Sequence, residues 1–253
     1  MTASDFARVP FTSFAESVPA LLDALDAGPL LAAQKQILIK PNLVNASPPP
    51  VTTPAACCEA LAAYIRRHSK ARIVIAEGCG AADLDTDEVF ARLGFTELAA
   101  RLGIELVDLN RAPLVEVARP GCRHFPTMHL PAIAFESFIL SVPVLKAHSL
   151  ADVTGTLKNM MGFVPPAHYQ QGGHWKKSAF HRHMHASITE LNRYVTPALT
   201  VLDGSVGLAE YHLGGAACDP PARVLLGGTD ALAIDRAAAD LLGLDWRRIP
   251  HLA

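Results

Sequence analysis

The stretch Ser141–Gly162, with the sequence SVPVLKAHSLADVTGTLKNMMG, decides both the fold and the candidate site. It continues the apolar run Phe138–Val142, which predicts a buried β-strand. The segment Ala151–Met161 predicts the next helix, because Ser149 can cap a first turn in which Asp152 complements the helix dipole. A strand followed by a helix is the repeating unit of an α/β fold.

The rest of the chain repeats this alternation, with nearly continuous apolar runs typical of strands covered on both faces. We therefore predict an α/β fold, a mostly parallel sheet with helices on both faces in Rossmann-like layers, formed by a single domain over 1–253. The predicted strands are Gln36–Lys40, Arg72–Ala76, Ile104–Asp108, Phe138–Val142, Leu199–Asp203 and Arg223–Gly227. The predicted helices are Phe14–Ala27, Pro54–His68, Asp87–Leu102, Ala151–Met161, His185–Val195 and Asp230–Leu242.

Composition argues against several classes of protein. The chain has 22 basic and 24 acidic residues, so its net charge does not indicate a nucleic-acid-binding protein. No apolar run approaches the roughly 20 residues that span a bilayer, and Met1–Pro10 lacks the basic and apolar regions of a secretory leader. We expect a soluble, cytoplasmic protein without nucleic-acid or membrane partners, and its oligomeric state stays open.

The five cysteines form no Cys-x-x-Cys pair and are odd in number, which argues against a disulfide framework and an iron–sulfur cluster. Buried free thiols are expected, and Cys79 alone lies in a plausible site loop. Neither Walker spacing nor Gly-x-Gly-x-x-Gly after the first strand is present, so there is no dinucleotide fingerprint and we expect no standard nucleotide site.

Polar side chains gather where the predicted strands end. Ligands of open parallel sheets bind at the carboxyl edge, so these residues predict one shared site. The alternative is that they form ordinary polar turns. The segments are Lys40-Pro41-Asn42, Glu77-Gly78, Asp108, Lys146–His148 and Asp203-Gly204.

Lysines and amides in this set indicate a cleft for a small anionic ligand, because ammonium groups and helix amides can hold a carboxylate or phosphate. A histidine, His148 or His185, could transfer a proton, since an unperturbed pKa of about 6.5 suits that role. The predicted catalytic residues are Lys146, His148, Lys158 and His185. The predicted ligand-binding residues are Lys40, Asn42, Thr154, Gly155, Asn159 and Asp203.

A second group of candidate functional side chains lies in the segment from His181 to His185. Alternate histidines on an extended segment can reach one transition-metal ion, so His181, His183 and His185 are a candidate site for a divalent transition metal. The alternative is that they are partly exposed histidines that support a loop. Residues 163–184 are longer than most connections, which indicates a lid or a site loop.

Several of these motifs resemble the bacterial and archaeal family known as domain of unknown function three-six-two. The resemblance runs from about Ile37 toward the C-terminus, and its lysine–asparagine motif is the most specific part. It leaves the chemistry open, because the family's activity is largely unassigned. The matching segments are Lys40-Pro41-Asn42, Pro143-x-Leu145-Lys146-x-His148, Thr154-Gly155-x-Leu157-Lys158-Asn159-x-x-Gly162, His185 with Ile188 and Leu191-Asn192, Val201–Gly204, and Thr229-Asp230 to Asp235.

Many members of that family carry cysteine-rich iron–sulfur modules, commonly after this domain. This chain has no cysteine cluster, so the resemblance does not imply electron transfer here. The overall plan also resembles, more distantly, nickel-dependent lactate racemases, which place lysines and histidines around a cleft, although no motif here establishes that likeness. In the last matching segment Asp230 is expected to cap a helix, while the role of Asp235 is open.

Three hypotheses follow. The first is an enzyme that isomerises, racemises or abstracts a proton from an anionic substrate. The second is a metal- or cofactor-binding protein that serves a redox partner without turnover of its own. The third is a structural module whose lysines are buried in ion pairs.

Overall fold

The computed structural model describes residues 5–253, which form eleven strands and ten α-helices. The strands are β1 (Phe6–Pro10), β2 (Gln36–Pro41), β3 (Arg72–Glu77), β4 (Glu105–Asp108), β5 (Leu114–Ala118), β6 (Thr127–Pro131), β7 (Phe138–Val142), β8 (Val144–His148), β9 (Asp152–Thr154), β10 (Leu199–Leu208) and β11 (Val224–Gly228). The helices are α1 (Phe14–Ala24), α2 (Ala27–Ala32), α3 (Ala55–His68), α4 (Thr86–Arg92), α5 (Phe95–Leu102), α6 (Ile133–Glu136), α7 (Thr156–Asn159), α8 (Pro166–Tyr169), α9 (Met184–Tyr194) and α10 (Ala231–Leu241). Three 3-10 helices cover Met160–Phe163, Ser178–His183 and Trp246–Arg248.

Nine strands form one sheet, in the order β1-β11-β10-β7-β2-β3-β4, with β8 joined to β10 and β9 joined to β8. The pairs from β10 through β7, β2 and β3 to β4 are all parallel, whereas β11 is antiparallel to both β1 and β10. Strands β5 and β6 form a separate antiparallel hairpin. The parallel centre places the carboxyl ends of β2, β3 and β7 at one edge.

Both faces of the central strands are covered. Ile37 and Ile39 of β2 pack in one apolar cluster with residues of α1 and α3, such as Leu21 and Leu61. Leu38 points to the other face and packs in a second cluster that includes residues of α9. The predicted α/β class with helices on both faces of a mostly parallel sheet is therefore confirmed. No helix within residues 5–253 is long and apolar enough to cross a bilayer.

All six predicted strands are present, but five other strands were not predicted. These are β1, β5, β6, β8 and β9, which are short and have antiparallel partners, so several carry exposed positions rather than a continuous apolar run. The predicted helix over 87–102 is two helices, α4 and α5. Gly94, with φ of 78°, separates them because a left-handed residue cannot continue a helix.

The prediction of a helix over Ala151–Met161 is wrong in its first half. Strands β8 and β9 form a hairpin there, in which Lys146 pairs with Thr154. The Nδ1 atom of His148 accepts the backbone N–H groups of Leu150 and Ala151 at 3.0 and 3.2 Å, which fixes the turn. This turn ends in Asp152 with φ of 60°, which no helix permits.

Helix α7 begins only at Thr156, and Ser149 does not cap it. Its first N–H groups, those of Thr156 and Leu157, donate instead to the two carboxylate oxygens of Asp235 on α10, at 2.5 and 2.9 Å. Asp235 thus caps another helix, which assigns the residue whose role the sequence left open. Asp230 caps α10 itself, as predicted, by accepting the N–H groups of residues 232 and 233.

Candidate functional site

A cleft with a volume of about 160 Å³ opens at the carboxyl edge of the sheet. Its walls come from the ends of β2 and β3, the β8–β9 hairpin, α7, the segment 163–184 and the loop after β10. Eight of the twelve predicted site residues line it. They are Lys40, Asn42, Lys146, His148, Thr154, Lys158, Asn159 and His181.

Lys40 and Glu77 form a buried ion pair on the floor of the cleft. The Lys40 Nζ lies 2.8 Å from each Glu77 carboxylate oxygen and also donates to the Asn159 Oδ1 at 3.1 Å. Glu77 further accepts the backbone N–H groups of Leu43 and Gly78, both at 2.8 Å. Burial lowers the pKa of Lys40, and attraction to Glu77 opposes that shift. This pair therefore joins the ends of β2 and β3, and the charge of Lys40 is neutralised by Glu77 rather than by a ligand.

Two asparagines join the floor to the hairpin side of the cleft. The Asn159 amide donates to the Lys40 carbonyl and the Ser141 hydroxyl, at 3.2 and 3.0 Å, and its oxygen accepts from Asn42 at 3.1 Å. The Asn42 Oδ1 and the Thr154 Oγ1 are buried and have no hydrogen-bond partner among the described residues. Both belong to residues that line the cleft, so the site contains two buried polar atoms that have no partner in the described chain.

Lys146 and Lys158 differ from Lys40, since no carboxylate pairs with either in residues 5–253. The Lys146 Nζ donates to the Val51 carbonyl at 2.6 Å, and the Lys158 Nζ has no hydrogen-bond or ion-pair partner in that range. Burial, and then repulsion from Lys158, lowers the pKa of Lys146 to about 7. Burial, and then repulsion from Lys40, lowers the pKa of Lys158 to about 8. Near neutral pH the cleft therefore offers both a neutral amine and an ammonium group.

Lys177 is a fourth lysine in the cleft and was not predicted as a site residue. Its Nζ donates to the Val164 carbonyl at 2.5 Å and to the Asn110 Oδ1. Burial lowers its pKa to about 7, although Glu77 acts in the opposite direction. Among the described residues that line the cleft, four lysines thus face a single carboxylate, that of Glu77.

His148 forms part of the cleft wall with His212, and their rings stack at 3.7 Å between centroids. Because the His148 Nδ1 accepts two backbone N–H groups, the ring proton resides on Nε2. Burial, followed by the charge of Lys158, holds the pKa of His148 far below its usual range. The same two causes lower the pKa of His212 to about 3. Both rings are therefore neutral, and His148 is a hydrogen-bond donor rather than a base.

The three histidines of the predicted metal site are not brought together. His181 lines the cleft, His183 stacks on His124, and the His185 Nδ1 lies 2.8 Å from the His251 Nδ1. Over residues 5–253, no three His, Cys, Asp or Glu side chains are placed to hold a metal ion. His185 is instead tied to Asp152 and to the C-terminal segment, outside the cleft.

Two predicted ligand-binding residues also lie outside the cleft. A Cβ atom at Gly155 would collide with the Asp235 carboxylate, so this glycine permits the contact that caps α7. Asp203 is buried, its carboxylate accepts the Ser205 N–H at 2.9 Å, and burial raises its pKa. The thiols of Cys57, Cys58, Cys79 and Cys122 are buried and free, as predicted, while Cys218 is half-buried.

Three further residues that line the cleft were not predicted from the sequence, namely Trp175, Tyr211 and His212. Trp175 lies in the segment 163–184, whose unusual length and composition were the available signal. Tyr211 and His212 follow β10, which continues past its predicted end at Asp203 to Leu208. This extension was not predicted because Gly204 and Gly207 interrupt the apolar run of the strand.

Comparisons with known proteins bear on the fold and the family. A comparison with curated proteins gives no significant match. The solved structure of the lactate racemase apoprotein from Thermoanaerobacterium thermosaccharolyticum is similar, with a TM-score of 0.54 and 14% sequence identity. The match covers 91% of this chain but 55% of that protein, so the chain spans about half the racemase's length. At this identity the likeness concerns the fold alone.

The family comparison covers most of the chain and includes every lysine of the cleft. The model described as Domain of unknown function (DUF362) matches residues 37–240. The resemblance expected from the lysine and asparagine motifs is thereby confirmed, and the chain belongs to the DUF362 family.

Proposed function

We propose that this protein is an enzyme that binds a small carboxylate or phosphate anion in the cleft and transfers a proton at a carbon beside the anionic group. The observation that carries the proposal is the pair Lys146 and Lys158, two cleft lysines that no carboxylate neutralises within the described chain. Burying an unpaired ammonium group is unfavourable, so such groups are found where a ligand supplies the counter-charge.

Lys158 binds the anion in this proposal. It stands in a cleft with an excess of lysines over carboxylates, and its own ammonium group keeps the proton to higher pH than that of Lys146. The Asn42 amide oxygen and the Thr154 hydroxyl, both buried without partners in the described chain, hydrogen-bond the rest of the ligand. The ion pair of Lys40 with Glu77 positions these groups instead of binding the ligand.

Lys146 accepts the proton. A general base works best when its pKa lies near the operating pH, and the pKa of Lys146 is about 7. The positive charge of Lys158 stabilises the negative charge that develops beside the carboxylate. His148 contributes its Nε2–H as a donor.

Hydrogen exchange in D₂O tests the proposal without knowledge of the product. Because the fold neighbour is a lactate racemase, the first panel consists of 2-hydroxy and 2-amino carboxylic acids, which carry a hydrogen on the carbon beside the carboxylate. We expect proton NMR to show loss of the carbon-bound hydrogen beside the carboxylate of at least one acid. The Lys146→Met variant should slow that exchange by about 100-fold or more.

The matched control is Lys70→Met, which removes an exposed lysine outside the cleft and should leave the rate unchanged. The proposal fails if no acid in the panel exchanges with wild-type protein. It also fails if Lys146→Met exchanges as fast as Lys70→Met, since the base would then be another group.

The two lysines also predict a narrow pH optimum. The rate should rise as the pH passes about 7, because Lys146 must lose its proton, and fall above about 8, because Lys158 must keep its own. Arginine stays protonated throughout this range, so a Lys158→Arg variant that retains activity should lose the decline on the alkaline side. A rate that stays flat across both values would contradict these roles.

A further inference from the structure

We infer that the natural ligand is an anion with an apolar group at its other end, such as an aryl or alkyl carboxylate, and that Leu150, Tyr211 and Trp175 bind this group. These three residues, called the apolar mouth below, all line the cleft. The inference rests on the proposed function and adds the substrate class.

The first observation is the exposure of two residues of the mouth. Leu150 and Tyr211 are 51% and 43% exposed, and only three other large apolar side chains in the described chain, those of Leu30, Val115 and Phe135, are at least 36% exposed. Leu150 lies at the tip of the β8–β9 hairpin, and Tyr211 lies in the loop after β10. Exposed apolar side chains that meet at one cleft indicate a binding surface rather than scattered surface residues.

The second observation is a series of aromatic contacts that leads inward from the mouth. The Tyr211 ring packs edge-on against His212 at 4.7 Å, and His212 stacks on His148 at 3.7 Å. Both histidine pKa values are lowered by burial, so the two rings are neutral and present aromatic surface instead of charge. An apolar group that enters beside Tyr211 therefore contacts a continuous series of aromatic rings that ends at His148.

The third observation is a second apolar wall from another part of the chain. Trp175 forms a β-bridge through residue 81, and its ring lies close to Gly80, 3.9 Å from the position that a Cβ atom would occupy there. Val44, which also lines the cleft, is the other neighbour of that position. Trp175 and Val44 thus border the cleft together on the side of Gly80.

The lysines and the apolar mouth occupy the same cleft, so one ligand can contact both. A purely polar anion such as inorganic phosphate would leave Leu150 and Tyr211 in water, whereas an amphipathic acid buries them on binding. Binding pockets commonly combine apolar walls with a few polar groups that fix orientation. The charge of Lys158 favours an anionic head, and the apolar mouth favours an apolar tail.

Calorimetric titration with a homologous series of acids tests the inference. The probes are the sodium salts of acetic, butanoic and hexanoic acid, with phenylacetate as the aromatic member. We expect the affinity to rise about threefold for each added methylene group, as burial of apolar surface predicts. Leu150→Ser and Tyr211→Ser should each flatten this dependence while leaving the affinity for acetate unchanged.

Leu30→Ser is the matched control, because Leu30 is also an exposed leucine but lies on α2 outside the cleft. It should keep the full dependence on chain length, as should the conservative Leu150→Met. Equal affinity for acetate and hexanoate in wild-type protein would overturn the inference and leave the proposed function standing. Loss of acetate binding in the serine variants would also overturn it. No binding of any acid or of phosphate would overturn both.

Discussion

Replacing Glu77 by alanine is expected to lower the free energy of unfolding by about 3–5 kcal/mol, as for other buried pairs that lose one partner. The substitution leaves the Lys40 ammonium buried without its counter-ion. It also leaves the N–H groups of Leu43 and Gly78 without an acceptor. Urea denaturation followed by circular dichroism measures the change. We expect that Glu77→Gln is milder, because the amide oxygen still accepts one hydrogen bond.

The control for this effect is Glu59→Ala, which removes the carboxylate of an exposed ion pair with Arg101. Such pairs contribute less than about 1 kcal/mol. A double variant, Lys40→Met with Glu77→Leu, should regain part of the lost stability, since it removes both charges together. A loss for Glu77→Ala as small as that for Glu59→Ala would show that the pair does not hold the strand ends.

Replacing Asp235 by alanine is expected to lower the free energy of unfolding by about 3 kcal/mol, the scale of two hydrogen bonds to a charged acceptor. It also frees the start of α7, the helix that carries Lys158, so ligand binding should weaken in the protein that remains folded. Urea denaturation and calorimetric titration with acetate measure the two effects. The Asp235→Asn variant keeps one acceptor oxygen and should lie between wild type and Asp235→Ala.

Asp230→Ala is the matched control, since Asp230 makes two similar capping bonds at an exposed position. It should lower stability by about 1 kcal/mol and leave ligand binding intact. Burial raises the pKa of Asp235 to about 6, above its unfolded value of about 3.9. The folded state therefore binds the extra proton, so this group's contribution to stability falls as the pH rises from about 4 to about 6. That slope should vanish in Asp235→Asn, and its persistence would contradict the assignment.

The buried strands could be predicted from the sequence because their signal is local. Strands β2 and β3 are apolar runs that end in polar residues, and this pattern located Lys40 and Glu77 at the edge of the sheet, whereas Lys146 lies in the unpredicted strand β8 that follows β7. The coarse site was therefore predictable as a set of strand ends. Lys158 and Asn159 were placed in the same site from the dense polar residues of the stretch Ser141–Gly162.

The remaining features depend on partners that are distant in the chain. The start of α7 is fixed by Asp235, which is 79 positions from Thr156 in the sequence. No local sequence pattern indicates that a residue of another helix caps α7. The hairpin turn was missed for a different reason, because the side chain of His148 accepts N–H groups only two and three residues further on, in place of the expected serine cap. The predicted cluster of three histidines did not converge, since close spacing in sequence does not determine which way each ring faces.

Strand β10 changes its parallel partner along its length, from β7 at Leu199 and Thr200 to β8 at Asp203 and Leu208. Pro143 lies between those two partners, and its carbonyl accepts the Asp203 N–H at 2.8 Å. The first half of β10 thus belongs to the core, while the second half supports the hairpin that bears Lys146. Because of this division, we expect that substitutions at the tip of the hairpin, at Ser149 and Leu150, leave the buried pairing of β10 with β7 unchanged.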